Sequence, residues 1–206
     1  MTSRWTGQRS PKRLVDLAIA APALVVLAPL IAVVAVAVRL RLGPGVLFQQ
    51  ERAGRGGDPI IVPKFRSMTN ECDARGELLP DEARLTTFGA KLRATSLDEL
   101  PQLWSVIRGD MSLVGPRPLP VVYVGRYSAE QRRRLEALPG ITGWAQVNGR
   151  NTSSWPERLE HDVWYVDNAT FWLDLKILAR TLKLAIRREG VSAAGHVTMH
   201  EFRGET

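Results

Sequence analysis

The chain has 206 residues, and 28 Lys+Arg against 21 Asp+Glu give it a formal net charge of +7. That surplus points to an anionic partner, with nucleic acid, acidic phospholipid and phosphorylated substrate all eligible. A single cysteine, Cys72, excludes an internal disulfide, and the length suits one domain of ordinary size beside a distinct N-terminal segment.

From Leu14 to Val38 the chain reads LVDLAIAAPALVVLAPLIAVVAVAV, twenty-five residues with one charge, Asp16. As a straight helix it would be about 37 Å long, enough to cross a hydrocarbon core of roughly 30 Å. Basic residues flank both ends: Arg4, Arg9, Lys12 and Arg13 before it, Arg39, Arg41, Arg52 and Arg55 after it. The positive-inside rule therefore gives no orientation. Pro22 and Pro29 each remove a backbone donor, so a helix broken at Ala28-Pro29 could enter one leaflet and return to the same face. A single-pass anchor with a proline kink is the other reading, and the residues alone leave both open.

Val46-Leu47-Phe48 and Pro59-Ile60-Ile61-Val62 with Lys64-Phe65-Arg66 predict a β-hairpin turned through Gly54 to Asp58. No Walker lysine follows these glycines, so they are not a nucleotide fingerprint. Lys64 and Arg66 share a strand face, as phosphate contacts or as a solvated side. Residues 69–86 read as a charged surface loop carrying a short helix.

Thr95 to Pro118 is the most informative stretch. Ser96 and Glu99 form a capping-box pattern that would put Asp98 and Glu99 in the first turn of a helix, where the dipole favours negative charge. Pro101 favours a later start, near Leu100, with the carboxylates on the helix lip. Two such acids often serve only as caps. Here, however, Arg117 follows between Pro116 and Pro118, which fix the local backbone and aim the guanidinium before a ligand arrives. Carboxylates with a preset arginine suggest phosphoryl chemistry, one acid as nucleophile or metal ligand, the other for Mg²⁺, and the arginine for phosphate.

Ser128 with Gln131 predicts a second capped helix, which carries Arg132, Arg133 and Arg134 as lipid contacts or an exposed polar face and stops at Pro139-Gly140. Residues 139–151 combine glycines with Trp144, Gln146, Asn148 and Arg150, suited to a ligand loop or a structural one. Phe171, Leu175, Leu178, Leu182 and Ala185 recur at helical spacing, an amphipathic stripe that could dock on the core or lie in a membrane interface. His196 and His200 lack the carboxylate or cysteine that would complete a metal site.

Across nearly its whole length the chain resembles the monotopic bacterial phosphoglycosyl transferases, or bacterial sugar transferases. The resemblance is carried by Lys12-Arg13, Lys64-Phe65-Arg66-Ser67-Met68, Ser96-Leu97-Asp98-Glu99-Leu100, Gly109 to Pro118 and Pro139 to Asn151. The small size and the ending Gly190-Val191-Ser192 with Gly195-His196-Val197-Thr198 look most like the bacillosamine-type enzymes of protein N-glycosylation.

That resemblance implies a two-step, Mg²⁺-dependent transfer of sugar 1-phosphate from a UDP-sugar to polyprenol (undecaprenyl) phosphate, with release of UMP. Asp98 would be the covalent nucleophile, Glu99 would hold the metal and Arg117 would steady phosphate. Lys64, Arg93, Arg150 and Gln146 are candidates for substrate or phosphate contact, and Asp174 for a supporting role, on neighbouring motifs and residue type alone. The implied N-terminus is a re-entrant helix on the cytoplasmic face of the inner membrane, although Ala28 stands where the family often has serine before the proline.

The expected fold is α+β and helix-dominated: a re-entrant membrane segment, 1–42, then a catalytic domain, 43–206, with a β-hairpin and amphipathic interfacial helices. Expected partners are the UDP-sugar, polyprenol phosphate and an anionic phospholipid membrane, while a homodimer partner or glycosyltransferases of the same pathway stay open. A lipid-directed glycosyltransferase would release UDP instead. A membrane-tethered nucleic-acid-binding module would need no Asp98, and no familiar nucleic-acid motif supports it.

Overall fold

The computed structural model describes residues 11–149, 154–187 and 201–204. Its first element, α1 (Pro11–Leu42), is a single helix whose bounds run through Pro22 and Pro29, so Ala28 and Pro29 end no element. Lys12, Asp16, Ala20, Val34 and Val38 are its buried residues. Ala20, flanked by Ala23, Leu24 and Leu27, packs with Val62, Leu103, Val106, Met111 and Ile177. Val34 and Val38 pack with Phe65 and Leu92. Both ends of α1 therefore rest on the globular part, while Leu14, Val25, Val26, Val33, Val36 and Leu40 stay exposed on the remaining surface.

The hairpin forms as its alternation predicts: β1 (Leu47–Ala53) pairs antiparallel with β2 (Pro59–Phe65), from Leu47 opposite Phe65 to Ala53 opposite Pro59. Arg66, just beyond β2, turns inward and donates to the carbonyls of Leu42 and Gly43 at 2.5 and 2.9 Å. A solvated basic side is thus the wrong description of this face, because the freed carbonyls at the C-terminus of α1 recruit the guanidinium. The 69–86 loop carries the expected short helix, α2 (Asp81–Arg84).

Next come α3 (Thr87–Ala94), a 3₁₀ turn over Leu97–Glu99 and α4 (Gln102–Arg108). Arg13 of α1 donates to the carbonyls of Val106 and Ile107, closing the C-terminus of α4. Beyond it, β3 (Ser112–Val114) pairs in parallel with β4 (Gly140–Thr142). The two backbones meet at glycines: a Cβ on Gly115 would lie 2.2 Å from the Leu138 carbonyl oxygen, and one on Gly140 would lie 2.1 Å from the Gly115 nitrogen. Only a bare Cα permits that approach.

The Ser128 capping box is present and opens α5 (Ala129–Arg132), which passes into a 3₁₀ turn over Arg133–Glu136. The three arginines are not a uniform basic face. Arg134 is buried against Asp162, and Arg133 pairs with Asp167 and Glu130. After α6 (Trp144–Asn148), the helices α7 (Trp155–Asn168) and α8 (Phe171–Arg187) complete the body.

The predicted stripe on α8 is rotated in the folded protein. Asp174 and Ile177 are buried, whereas Leu182 is 63% exposed. Lys12 of α1 and the Tyr165 hydroxyl both bind Asp174, and that buried polar anchor sets the face α8 turns inward. The 201–204 segment docks Phe202 among Tyr123, Tyr127, Leu135 and Leu159. Among the described residues, two small two-stranded sheets within a mostly helical body make the fold α+β and helix-dominated.

Candidate active site

The acidic pair sits on the 3₁₀ turn between α3 and α4. Ser96 enters it with φ of 54°, a left-handed conformation that strains a non-glycine residue, and its side chain makes no cap hydrogen bond. The expected capping box at Ser96 and Glu99 is therefore absent. Pro101 precedes Gln102, the first residue of α4, so the carboxylates occupy the lip of the helix rather than its first turn. Glu99 is drawn elsewhere: Lys64 Nζ lies 2.6 Å from its Oε1 and Arg117 Nη2 lies 2.7 Å from the same oxygen.

Each cation arrives on rigid backbone. Lys64 belongs to β2, where it lies opposite Phe48. The Arg117 segment is clasped through its carbonyls: Gly140 N–H donates to Pro116 at 2.9 Å, Arg134 Nη2 to Arg117 at 2.6 Å and Ala53 N–H to Leu119 at 2.8 Å. Prolines at 116 and 118 offer no N–H of their own, so acceptors must hold this loop. Arg93, in the last turn of α3, donates from Nε to the Ser67 hydroxyl at 2.8 Å. Its charge also reaches Asp98.

Asp98 and Glu99 respond in opposite ways. Burial, reinforced by the negative charge of Glu99, raises the Asp98 carboxyl from 3.8 to about 6 against the pull of Lys64, Arg93 and Arg117. Burial would raise Glu99 as well, but Arg117 and Lys64 outweigh it and hold that carboxyl at about 2. Glu99 is thus a fixed anion at any ordinary pH. Asp98 becomes one near neutrality and, among the described residues, has no hydrogen-bonded cation quenching it, which suits a nucleophile.

Two more arginines belong to this field, Arg52, read from the sequence only as a basic flank of the apolar run, and Arg158. Arg52 of β1 falls below its ordinary pKa through burial and then the charge of Arg117. Arg158 of α7 does so for the same two reasons. A bound anion would relieve both. Arg52 was findable, because the pairing of β1 with β2 puts Arg52 and Lys64 on one face of the hairpin. Gln146 donates from Nε2 to the Ile141 carbonyl at 3.0 Å, while its buried Oε1 has no partner among the described residues. Arg150, His196 and His200 lie outside the described residues.

Among the described residues, no three His, Cys, Asp or Glu side chains cluster as a metal site. Asp98 and Glu99 instead offer two neighbouring carboxylates beside a surplus of cations. That is too few ligands for a structural Zn²⁺ but fits Mg²⁺, which takes one or two carboxylates and completes its shell with water and substrate phosphate.

The bacterial sugar transferase family model matches residues 7–188 of the chain. An uncharacterized sugar transferase of Bacillus subtilis, EpsL, is 51% identical over 94% of this chain and 96% of its own length. The UDP-glucose:undecaprenyl-phosphate glucose-1-phosphate transferase of Caulobacter vibrioides is 41% identical over 83% of this chain and 68% of its own. The undecaprenyl-phosphate galactose phosphotransferase of Salmonella typhimurium is 39% identical over 89% of this chain but only 42% of that longer protein. Family match, relatives and site chemistry agree, and the chain belongs to the bacterial sugar transferase family.

Proposed function

We propose that this protein transfers a sugar 1-phosphate from a UDP-sugar to polyprenol phosphate, with UMP as the released product. The observation that carries this reading is the split between the two acids, Asp98 poised near neutrality and Glu99 locked as an anion by Lys64 and Arg117. Ionised Asp98 attacks the β-phosphorus of the donor. A phosphorus–oxygen bond forms to its carboxylate as the bond to the α-phosphate breaks, and UMP leaves with the electron pair. A phosphate oxygen of the polyprenol phosphate then attacks the same phosphorus, which frees Asp98 and yields the polyprenyl diphosphate sugar.

Arg117, Lys64 and Arg93, with Arg52 and Arg158 further out, neutralise the phosphate charge that both steps concentrate here. Glu99 would hold Mg²⁺, which would supply further neutralisation of the diphosphate. The donor we assign is UDP-N,N'-diacetylbacillosamine or a similar N-acetylated sugar, on the resemblance to small bacillosamine-type enzymes. The relatives named by sugar act on galactose, glucose or N-acetylgalactosamine, so the sugar is settled by a panel of donors.

We assign a monotopic topology, with segment 1–42 re-entrant and the catalytic part, 43–206, on the cytoplasmic face of the inner membrane. Packing of both ends of α1 on one globular body supports it, because a helix crossing the bilayer would carry one end away from that body. The test is nucleotide release from detergent-solubilised protein given Mg²⁺, polyprenol phosphate and UDP-sugars. UMP that requires Asp98 and Mg²⁺ is the expected product. UDP would move the protein to the lipid-directed glycosyltransferases, and UMP release unimpaired by Asp98→Asn would overturn the covalent step.

A further inference from the structure

We propose that Arg134 is a positioning residue for phosphate recognition: through the Arg117 carbonyl it fixes the backbone from which the Arg117 side chain reaches Glu99. The inference rests on the transferase reading above and adds to it a residue that touches neither acid.

Arg134 is only 2% exposed, and every nitrogen of its guanidinium is used. Nε and Nη2 donate to Asp162 Oδ2 at 3.0 and 2.7 Å, and Nη1 donates to the Tyr127 hydroxyl at 3.2 Å. Nη2 also donates to the Arg117 carbonyl at 2.6 Å. The guanidinium carbon lies 5.6 Å from the centre of the Tyr127 ring. Asp162, on α7, is itself only 4% exposed.

A buried ion pair adds little stability over a well-packed apolar pair of similar volume. Its geometric effect is different, because a rigid fork braced from two sides delivers one N–H to one carbonyl. That carbonyl lies between two prolines that donate nothing. Its neighbours at Pro116 and Leu119 are gripped by backbone N–H groups, so among the described residues Arg134 is the one side chain in the clasp. Without it, the peptide bearing the Arg117 side chain is held only from the residues around it. A misplacement of about 1 Å in a catalytic group can cost on the order of 10²-fold in rate.

The experiment is a double-mutant cycle on the full-length protein. One arm replaces the buried pair with apolar residues, Arg134→Met with Asp162→Leu, so that no lone charge stays in the core; the other is Arg117→Ala. Thermal unfolding checks the fold, and Arg134→Lys takes the place of the pair variant if that variant does not fold. The pair variant is expected to lose on the order of 10²-fold in kcat/KM for UMP release. Made on top of Arg117→Ala, it should cost less than about threefold more, since the residue it positions is already gone. Equal losses in both backgrounds, or no loss in the first, would overturn the proposal.

A second readout needs no substrate. The guanidinium proton resonances of Arg117 are followed by NMR: the contact of its Nη2 with Glu99 restricts their rotation in the wild type, and the pair variant should lose that restriction as Glu99→Gln does. Wild-type-like Arg117 resonances in a folded pair variant overturn the positioning role. Wild-type protein that releases no UMP from any donor would overturn the transferase reading and leave this second test intact.

Discussion

Asp98 and Glu99 are adjacent in the chain, yet Asp98 gives up its proton at about 6 and Glu99 at about 2. Both are removed from bulk water, so the separation comes from Lys64 and Arg117 converging on Glu99 Oε1. One consequence concerns stability. The folded Asp98 pKa lies above its unfolded value, so the folded state binds this proton more tightly. Its contribution is fully present below about 3.8 and is lost as pH rises through about 6. Asp98→Asn is therefore expected to stabilise the fold at pH 7.5 by on the order of 1–3 kcal/mol, read as a higher melting temperature, while abolishing UMP release. The gain should vanish below pH 4. Melting curves at both pH values check it, and a variant less stable at pH 7.5 contradicts the assignment.

Lys64 acts on both acids. In the proposed mechanism Asp98 must be ionised, so kcat/KM should rise along an acid limb centred near 6 in the wild type. Lys64→Met removes a cation that favours the ionised forms of Asp98 and Glu99, so the limb should move to higher pH as the maximum falls by roughly 10²-fold. A pH series of initial rates at saturating Mg²⁺ reads both effects. Loss of rate with an unmoved limb would make Lys64 a binding residue only.

How much of this was legible in the chain depends on the range of the interaction. The hairpin was readable because alternation and glycines act within a few residues, and so was the acid pair followed by an arginine between prolines. The Ser96 capping box failed because its reasoning was equally local: Lys64 and Arg117 take the Glu99 carboxylate that the cap would have used. Arg134 was invisible for a related reason. A run of three arginines does not say which turns inward, and Asp162 lies 28 residues further on. On α8 the leucines pointed to one stripe, but burial of Asp174 against Lys12 and Tyr165 turned the helix to another.

Gly115 offers a test of the backbone clasp that alters no charge. A Cβ there would fall 2.2 Å from the Leu138 carbonyl oxygen and 2.9 Å from the Gly140 nitrogen, both backbone atoms. Gly115→Ala must push β3 and β4 apart at the residue preceding Pro116-Arg117-Pro118. It is expected to cost roughly 1–3 kcal/mol of stability and to lower kcat/KM well beyond what melting at the assay temperature explains. Gly125→Ala is the control, because a Cβ at Gly125 meets nothing within 4 Å. Activity retained by a folded Gly115→Ala protein would show that the clasp does not set Arg117.

The proposed re-entrant topology can be tested on α1. Helix geometry makes its 32 residues about 48 Å long, and its buried residues at both ends touch the same body. Leu14 and Leu40, exposed near opposite ends, should therefore lie on one side of the bilayer. In a Cys72→Ser background, single cysteines at these two positions are expected to react alike with a membrane-impermeant maleimide. Both should be protected in intact cells and labelled in inside-out vesicles. Labelling of one in cells and the other only in vesicles would make α1 a single-pass anchor. Pro29→Ala restores the backbone donor that proline lacks and favours a straighter helix. If re-entry depends on that proline, the substitution should move one of the two cysteines across the bilayer and lower UMP release, because the acids would then sit at the wrong height above the lipid phosphate.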